Sequence, residues 1–313
     1  MKIGIDVGGT NLAAGCVDNQ GKILLKKTFP TGAGDGYSAV LERLIGLIDE
    51  LAASCNTHDS VTAIGLGVPG IVSPDGASAT CVNLFWDKVP LKNDLEACCG
   101  LPVYLANDAT VAGIAENRYG SSKGIDNAVM LTIGTGIGGC IIINGKITNG
   151  SFGVASEIGH MHVGDGLYAC NCGKSGCLET YASATGLIRQ AQMAIERGEP
   201  TSILQSAEGN PSNINAKMVM DAAKAGDAVG LQCFHSMVSH LATAMSIITD
   251  VIDPKLYVIG GGVANAGDFL FTALRKAFKD RLTYPQFAYP EIVPAHFKND
   301  AGIIGAACIN DYL

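Results

Sequence analysis

One segment constrains the fold more than any other part of the chain, because it carries a set of side chains that suits a single metal ion. Residues 157–179 contain an imidazole, three thiols and two carboxylates. Zn²⁺ binds soft thiolates together with imidazole in a closed tetrahedral site. Gly173 and Gly176 allow the tight turns that bring thiols of a short loop together. The predicted zinc ligands are His160, Cys170, Cys172 and Cys177.

Two other interpretations of these cysteines need no metal: ordinary thiols in a cysteine-rich chain, or a disulfide. Cys170 and Cys172 are too close in sequence to make a good disulfide pair, and the total of eleven cysteines is odd. A strand pattern follows Met1 at once, where a secretory signal would need an apolar core. These features favour zinc, a reducing compartment and a cytoplasmic protein.

Length and charge restrict the class of function. The 313 residues are enough for two lobes, each with its own core, and 48% of the residues are apolar. A formal net charge of −8 argues against nucleic acid or an anionic membrane as the main partner, since either would favour a basic surface. No apolar run is long enough to span a bilayer. The composition predicts a compact, turn-rich globular enzyme rather than a disordered or fibrous protein.

The first half of the chain reads as an α/β lobe. A strand, a glycine turn and a returning strand over 2–16 begin an antiparallel meander. An apolar strand over 103–106 ends in Asn107 and Asp108, and a helix is predicted over 109–119. Open α/β sheets bind ligands at such strand ends. Further elements are a strand at 23–29, a helix at 38–55, a strand at 64–68, a loop-rich segment up to about residue 86 and a helix at 92–99.

The second half begins with the same order of predicted elements, which indicates a duplication. A strand over 128–133, a glycine turn and a strand over 140–143 echo the start of the chain. The sequence predicts lobes at 1–118 and 119–298, with 299–313 packing back on the first lobe. Further elements are helices at 183–197, 216–225, 229–250, 268–278 and 300–310, and strands at 256–259 and 291–294.

Glycine-rich turns follow three of the predicted strands, at 6–11, 134–139 and 260–262. Such turns let backbone N–H groups converge on phosphate oxygens. Neither a Walker A motif nor a dinucleotide fingerprint is present. The pattern instead predicts a duplicated hairpin clamp for a polyphosphate, with Asp6 placed to hold a hydrated Mg²⁺.

Together these motifs resemble the ROK family of sugar kinases and repressors, and the resemblance runs from Ile3 to the last helix. It implies an α/β, two-lobed actin/hexokinase/Hsp70-like ATPase fold with duplicated ribonuclease H-like domains. It also implies ATP-dependent phosphorylation of the 6-hydroxyl of a hexose, most nearly glucose, and it favours a homodimer. The motifs are IDVGGTN at 5–11, LANDA at 105–109, GTGIGG at 134–139, EIGH at 157–160 and CNCGKSGCLE at 170–179.

The resemblance also implies roles for individual residues. Asp108 matches the general base, which takes the proton of the sugar hydroxyl, and His160 matches a residue that touches both metal and sugar. The sugar-binding positions are Asn83, Asn107, Asp108, Glu157, His160 and Glu179. The first phosphate turn matches Asp6, Gly8, Gly9, Thr10 and Asn11, the second matches Thr135 and Gly136, and the adenosine side matches Gly261 and Gly262. The implied cofactors are ATP, Mg²⁺ and structural Zn²⁺.

Several alternatives stay open at this point. Asp108 is also a good N-cap for the helix that follows it, Asn83 a turn residue and Glu179 a surface carboxylate. The segment 81–85 lacks the proline and glycine that often flank this asparagine in the glucose kinases of the family, which keeps an N-acetylmannosamine or N-acetylglucosamine kinase as the second candidate. A non-catalytic sugar sensor is a third. A transcription regulator predicts an N-terminal helix-turn-helix, whereas a strand pattern begins here at Lys2.

Overall fold

The structure is a computed structural model that describes residues 1–55 and 61–313. The strands are β1 (Lys2–Val7), β2 (Asn11–Val17), β3 (Ile23–Pro30), β4 (Ile64–Val68), β5 (Ile71–Val72), β6 (Ala79–Cys81), β7 (Trp86–Val89), β8 (Val103–Asn107), β9 (Ala128–Ile133), β10 (Ile137–Ile143), β11 (Lys146–Ile147), β12 (Leu256–Gly260) and β13 (Glu291–Pro294). The helices are α1 (Tyr37–Ser54), α2 (Leu91–Cys99), α3 (Asp108–Tyr119), α4 (Leu178–Ala182), α5 (Ala184–Glu196), α6 (Ser202–Ser206), α7 (Ala216–Lys224), α8 (Ala228–Ile252), α9 (Asp268–Lys279) and α10 (Ala301–Ala306).

The chain divides into two compact units. The first unit contains Met1–Met130, Cys140–Ser156 and Ala295–Leu313, and the second contains Leu131–Gly139 and Glu157–Pro294. The lobe limits expected from the sequence, 1–118 with 299–313 and 119–298, stay a prediction.

The sheet of the first unit has the strand order β3-β2-β1-β4-β8. β1 and β2 form an antiparallel hairpin, whereas β1, β4 and β8 run parallel to one another. Because the carboxyl ends of parallel strands meet at one edge, residues that follow β1 and β8 come close together. Helix α1 presents an apolar stripe to this sheet, as its spacing predicts. The buried residues of α1 are Val40, Leu44, Leu47, Ile48 and Leu51.

A second five-stranded sheet has the order β11-β10-β9-β12-β13. In each sheet the first strand of a meander lies at the centre, its two successors extend to one side, and two later strands extend to the other. This shared order agrees with the predicted duplication. Helix α8 is the longest helix of the described chain, at 25 residues, and its buried stripe packs against α7, α9 and α4.

A small antiparallel sheet, β5-β6-β7, occupies the segment that the sequence analysis assigned to loops. Its strands are two to four residues long. They are too short to show the alternation of apolar and polar residues by which a strand is recognised. Trp86 anchors the sheet, with only 3% of its surface exposed.

The predicted terminal helix at 300–310 is shorter in the structure. Helix α10 ends at Ala306, and a 3₁₀ turn follows at Ile309–Asp311. The short helices α4 and α6 had no counterpart in the sequence analysis, because five residues are too few to show a helical period.

The structure contains a disulfide between Cys16 and Cys55, two buried residues that the sequence analysis did not pair. Cys16 lies on β2, and Cys55 directly follows α1. Within residues 1–55 and 61–313, the helices are too short or too polar for any of them to span a bilayer.

Candidate active site

The junction of β8 and α3 holds two of the predicted sugar-site residues. Asn107 is the N-cap of α3, since its Oδ1 accepts from the N–H groups of Ala109 at 2.9 Å and Thr110 at 3.3 Å. Its Nδ2 donates to the Gly70 carbonyl at 3.1 Å. The cap is therefore Asn107, and Asp108 is the first residue of the helix. The Asn107 side chain also hydrogen-bonds the Asp108 carboxylate, which partly opposes the rise in the pKa of Asp108 that burial causes.

The side chain of Asp108 reaches solvent, although protein atoms surround it on most sides. This surrounding protein desolvates the carboxylate and raises its pKa. The Ala109 N–H, 2.8 Å from Oδ1, opposes the rise and orients the carboxylate. A carboxylate that is oriented, accessible and more basic than usual suits the role of a proton acceptor.

Asp6 lies near Asp108 on the same edge of the sheet. In the sheet register Asp6 pairs with Gly67 of β4, and Gly67 pairs with Ala106 of β8. A Cβ at Gly67 would lie 2.6 Å from the Val111 side chain and 3.6 Å from the Asp108 Cα, so glycine at this position permits the close packing of β4 against α3. Burial, followed by the negative charge of Asp108, raises the pKa of Asp6 to about 6.

Gly302 is a functional position that the sequence analysis missed. A Cβ on this α10 residue would lie 2.5 Å from Oδ2 of Asp6. Because the two residues are almost 300 positions apart in sequence, no local motif connects them. The close approach means that α10 fixes where the Asp6 carboxylate lies.

The raised pKa of Asp6 leads to a prediction about stability. Above pH 6 the folded protein holds a poorly solvated Asp6 charge, whereas in the unfolded chain Asp6 already ionises near 3.8, the ordinary pKa of an aspartate. The stability that Asp6 contributes is therefore full below pH 3.8 and is lost as the pH rises through 6. Without Mg²⁺ or nucleotide, Asp6→Asn should raise the free energy of unfolding at pH 8 by about 1–2 kcal/mol.

Urea unfolding at pH 4 and pH 8 measures this effect. The gain from Asp6→Asn should be small at pH 4, and Glu42→Gln, which removes an exposed carboxylate of α1, should show no such pH dependence. An equal gain for Asp6→Asn at both pH values would contradict the assigned cause.

Asn83 lies beside the first glycine turn. It is exposed in the 3₁₀ turn Val82–Leu84, and its Cβ is 3.9 Å from where a Cβ on Gly9 would be. Leu84 and Trp86 anchor the segment by burial. The first unit therefore brings this turn, Asn83, the β8–α3 junction and Asp6 to one edge of its sheet.

The first glycine turn is a tight hairpin between β1 and β2. The Gly8 N–H donates to the Asn11 carbonyl at 2.9 Å. Gly9, Thr10 and Asn11 are exposed. The turn thus presents backbone to solvent at the point where the sequence predicted phosphate binding.

The second unit gathers the four predicted zinc ligands into one cluster. Their ligand atoms all lie within 4.8 Å of one another. Sγ of Cys170 is 3.6 Å from Nδ1 of His160, and Sγ of Cys172 is 3.6 Å from Sγ of Cys177. Ligands of a tetrahedral zinc are separated by roughly 3.5–3.8 Å, given Zn–S bonds of about 2.3 Å. The four residues therefore fit a zinc ion.

The second ring nitrogen of His160 supports this fit. Nε2 lies 3.8 Å from Oε2 of Glu157, while Nδ1 faces the thiols. Histidines that bind metals usually direct their other nitrogen to a carboxylate or carbonyl, which orients the ring. Glu157 was predicted as a sugar-binding residue, and the structure places it beside the cluster.

An aromatic contact holds the zinc loop on the helices of the second unit. The Tyr181 ring on α4 stacks on His240 of α8, with centroids 4.2 Å apart, and its hydroxyl donates to Asp165 in the loop. That hydrogen bond lowers the pKa of Asp165. A Cβ at Gly164 would lie 2.2 Å from the Tyr181 ring, so glycine permits the contact. The sequence analysis missed these residues.

Glu179 supports the second glycine turn. Its Oε2 accepts from the Ile137 N–H at 2.8 Å, and a Cβ on Gly136 would lie 2.1 Å from the same oxygen. Thr135 is exposed, and its carbonyl accepts from the Thr185 hydroxyl at 2.8 Å. Glu179 is thus half-buried against the turn, with its other oxygen left for a ligand.

This contact predicts a difference between two glycines of one turn. Gly136→Ala must displace the Glu179 carboxylate from the Ile137 N–H, which should cost about 1–2 kcal/mol of unfolding free energy. Gly134 has open space where a Cβ would be, so Gly134→Ala is the matched control and should change stability by less than about 0.5 kcal/mol. Urea denaturation measures both variants, and equal losses would contradict the contact.

The third predicted turn, at 260–262, begins at Gly260, the last residue of β12. Gly261 has φ 84°, and a Cβ there would lie 2.3 Å from the Ile133 carbonyl. This close approach to β9 requires glycine. Gly262 has open space around it and begins a 3₁₀ turn that ends at Ala266.

Comparison with known proteins identifies the family. The ROK family model matches residues 2–311. A glucokinase of Streptomyces coelicolor is 34% identical over 314 residues, which cover 98% of this chain and 96% of the relative. An N-acetylmannosamine kinase of Escherichia coli O1:K1 is 30% identical over 310 residues, or 98% of this chain and 97% of the relative.

A solved structure agrees with these sequence matches. The ROK family glucokinase from Streptomyces griseus, in complex with glucose and AMPPNP, has a TM-score of 0.80 to this chain. The two are 33% identical, and the match covers 98% of this chain and 97% of the other. This chain belongs to the ROK family and has the actin/hexokinase-like α/β fold predicted for it.

Proposed function

We propose that this ROK protein is an ATP-dependent hexose kinase that phosphorylates the 6-hydroxyl of glucose. The observation that carries the proposal is Asp108, an accessible carboxylate with a raised pKa, held at the end of a parallel strand beside Asp6. The names of the similar proteins, including the glucokinase solved with glucose and AMPPNP, support ATP and glucose as substrates.

In the proposed reaction Asp108 accepts the proton of the sugar 6-hydroxyl. The hydroxyl oxygen forms a bond to the γ-phosphorus while the bond from that phosphorus to the bridging oxygen of ADP breaks. The Ala109 N–H holds the carboxylate in place through this step. The proton passes from Asp108 to solvent after the products leave, so the base is restored.

Directed hydrogen bonds would select the sugar. Amides, carboxylates and an imidazole distinguish hydroxyl positions because they donate and accept at fixed angles. The proposed sugar-binding residues are Asn83, Asn107, Asp108, Glu157, His160 and Glu179.

Exposed glycine turns would bind ATP. The first turn offers backbone N–H groups to phosphate oxygens, and Asp6 would hold Mg²⁺ through its coordinated waters. When bound, Mg²⁺ neutralises phosphate charge. The proposed nucleotide-binding residues are Asp6, Gly8, Gly9, Thr10, Asn11, Thr135, Gly136, Gly261 and Gly262.

We assign a structural zinc ion to the four-residue cluster of the second unit. Zinc bound by three thiolates and an imidazole has no open position, which is typical of a structural site. The ion would hold residues 157–179 in one conformation and would thereby orient His160 and Glu157 towards the sugar. We also place the protein in the cytoplasm, where thiolate ligands stay reduced; the Cys16–Cys55 disulfide is unusual for that compartment.

One observation favours an N-acetylhexosamine kinase as the second candidate. Val82 and Phe85, on either side of Asn83, are more than 80% exposed. Phe85 has φ 56°, a conformation that glycine adopts far more easily. Two exposed apolar side chains beside a sugar-binding amide would suit the methyl of an N-acetyl group, as in a substrate of the N-acetylmannosamine kinase that this chain resembles.

An ADP-release assay with equal concentrations of glucose, mannose, fructose, N-acetylmannosamine and N-acetylglucosamine separates the candidates. The proposal predicts the highest kcat/KM for glucose. A higher value for an N-acetyl sugar would establish the second candidate, and sugar binding without turnover would indicate a sensor.

We propose a homodimer as the assembly. Exposed apolar side chains on the second unit would be covered in a dimer; they are Ile247, Val251, Tyr284, Phe287 and Tyr289. Sedimentation velocity tests this proposal, with a single species of twice the 32.3 kDa chain mass expected.

A further inference from the structure

Thr31 holds the first glycine turn in place from the neighbouring chain segment. It directly follows β3 and is fully buried, with 0% of its surface exposed. Its hydroxyl donates to the Gly8 carbonyl at 2.6 Å, and its backbone N–H donates to the Thr10 carbonyl at 2.8 Å. One residue thus binds two carbonyls of the turn from the same side.

These two contacts determine where the N–H groups of the turn point. In a trans peptide the C=O and N–H groups point in opposite directions. Holding the Gly8 carbonyl against Thr31 therefore turns the Gly9 N–H away from Thr31. Gly9 is exposed, so a phosphate oxygen is able to approach the turn from solvent and accept from an N–H that points away from Thr31.

Arg43 of α1 in turn fixes Thr31. Its Nη1 donates to the Thr31 carbonyl at 3.0 Å and to the Gly32 carbonyl at 3.4 Å. The same guanidinium pairs with Asp35. Gly32 has φ 64°, and a Cβ there would lie 2.2 Å from Nη1, so glycine permits the contact. A continuous set of hydrogen bonds therefore connects α1 to the turn through Thr31.

We infer that Thr31 is a positioning residue for ATP: its hydroxyl sets the orientation of the Gly8–Gly9 peptide so that the first turn is ready to bind phosphate. The inference rests on the proposed ATP-dependent function. The hydroxyl of Thr31, rather than the size of the side chain, orients the Gly8–Gly9 peptide, because the hydroxyl makes the contact to Gly8.

Three substitutions separate the hydroxyl from the shape of the side chain. Thr31→Val keeps the shape and removes the hydroxyl, and Thr31→Ser keeps the hydroxyl. Thr28→Val makes the same chemical change at an exposed position of β3. The two readouts are steady-state kinetics of the full chain and calorimetric titration with Mg²⁺ and AMPPNP, which needs no turnover.

Thr31→Val should weaken AMPPNP binding and raise KM for ATP by about tenfold, with KM for the sugar changed less than about twofold. Thr31→Ser and Thr28→Val should stay within about twofold of wild type. Wild-type nucleotide affinity in folded Thr31→Val would overturn the inference, as would an equal rise of both KM values.

Arg43→Gln provides a second test, because it alters an exposed side chain and does not depend on how well Thr31→Val folds. It should weaken AMPPNP binding by about two- to fivefold. Unchanged binding in Arg43→Gln, together with an unfolded Thr31→Val, would assign Thr31 a purely structural role. If the wild-type protein binds no nucleotide, the proposed function itself is wrong, and that outcome is distinct from either result for the variants.

Discussion

Asp108→Asn should lower kcat by about 10²- to 10⁴-fold, the usual contribution of a general base. Asparagine has the same shape as aspartate and its Oδ1 still accepts from the Ala109 N–H, so the β8–α3 junction should keep its structure. It cannot take up the proton of the sugar hydroxyl. Steady-state kinetics with saturating ATP and glucose measures the loss, and calorimetry should show sugar affinity within about threefold of wild type.

Glu42→Gln is the matched control for this experiment, since it removes an exposed carboxylate of α1. Its kcat should equal that of the wild type. A kcat for Asp108→Asn above roughly a tenth of the wild-type value would show that Asp108 is not the base. It would leave Asp108 with a local structural role only, the hydrogen bond that it accepts from the Ala109 N–H.

Removal of one thiol from the zinc cluster should have the second large effect. Cys177→Ser replaces a buried ligand with a much poorer one, so zinc content should fall from about one equivalent per chain to a small fraction of that value. Without the ion, residues 157–179 lose the link that holds His160, and kcat/KM for the sugar should fall by at least about tenfold. Metal analysis, limited proteolysis and kinetics measure the three consequences.

Cys98→Ser controls for the loss of a thiol, because Cys98 is an exposed free cysteine of α2. It should keep wild-type zinc content and activity. Full zinc occupancy in Cys177→Ser would contradict the assigned ligand set. A wild-type protein without zinc would contradict the site itself.

The predictable parts of the fold are those whose signal lies within a short stretch of sequence. The apolar stripe of α1 and the glycine turn after β1 are such signals, and both elements appear with bounds that differ from the prediction by only a residue or two. The zinc cluster is equally local, since four ligands within 18 residues leave few other arrangements. The duplicated sheet order follows from the repeat of one motif.

The unpredicted parts depend on contacts between distant residues. Gly302 contacts Asp6 from the other end of the chain, and His240 supports the zinc loop from α8. No spacing rule in the sequence connects such pairs. The strands β5 and β6 were not predicted for a different reason. Two or three residues are too few to show the alternation of apolar and polar side chains.

The central claim is that the protein transfers the γ-phosphate of ATP to the 6-hydroxyl of a hexose. ³¹P and ¹³C NMR of a reaction with Mg²⁺, ATP and glucose test it most directly. The account predicts a hexose phosphate substituted at O6, formed in equal amount to ADP by the wild type and at a rate lower by at least about 10²-fold by Asp108→Asn. ADP formation without any hexose phosphate, or a product with phosphate on another oxygen, would contradict it.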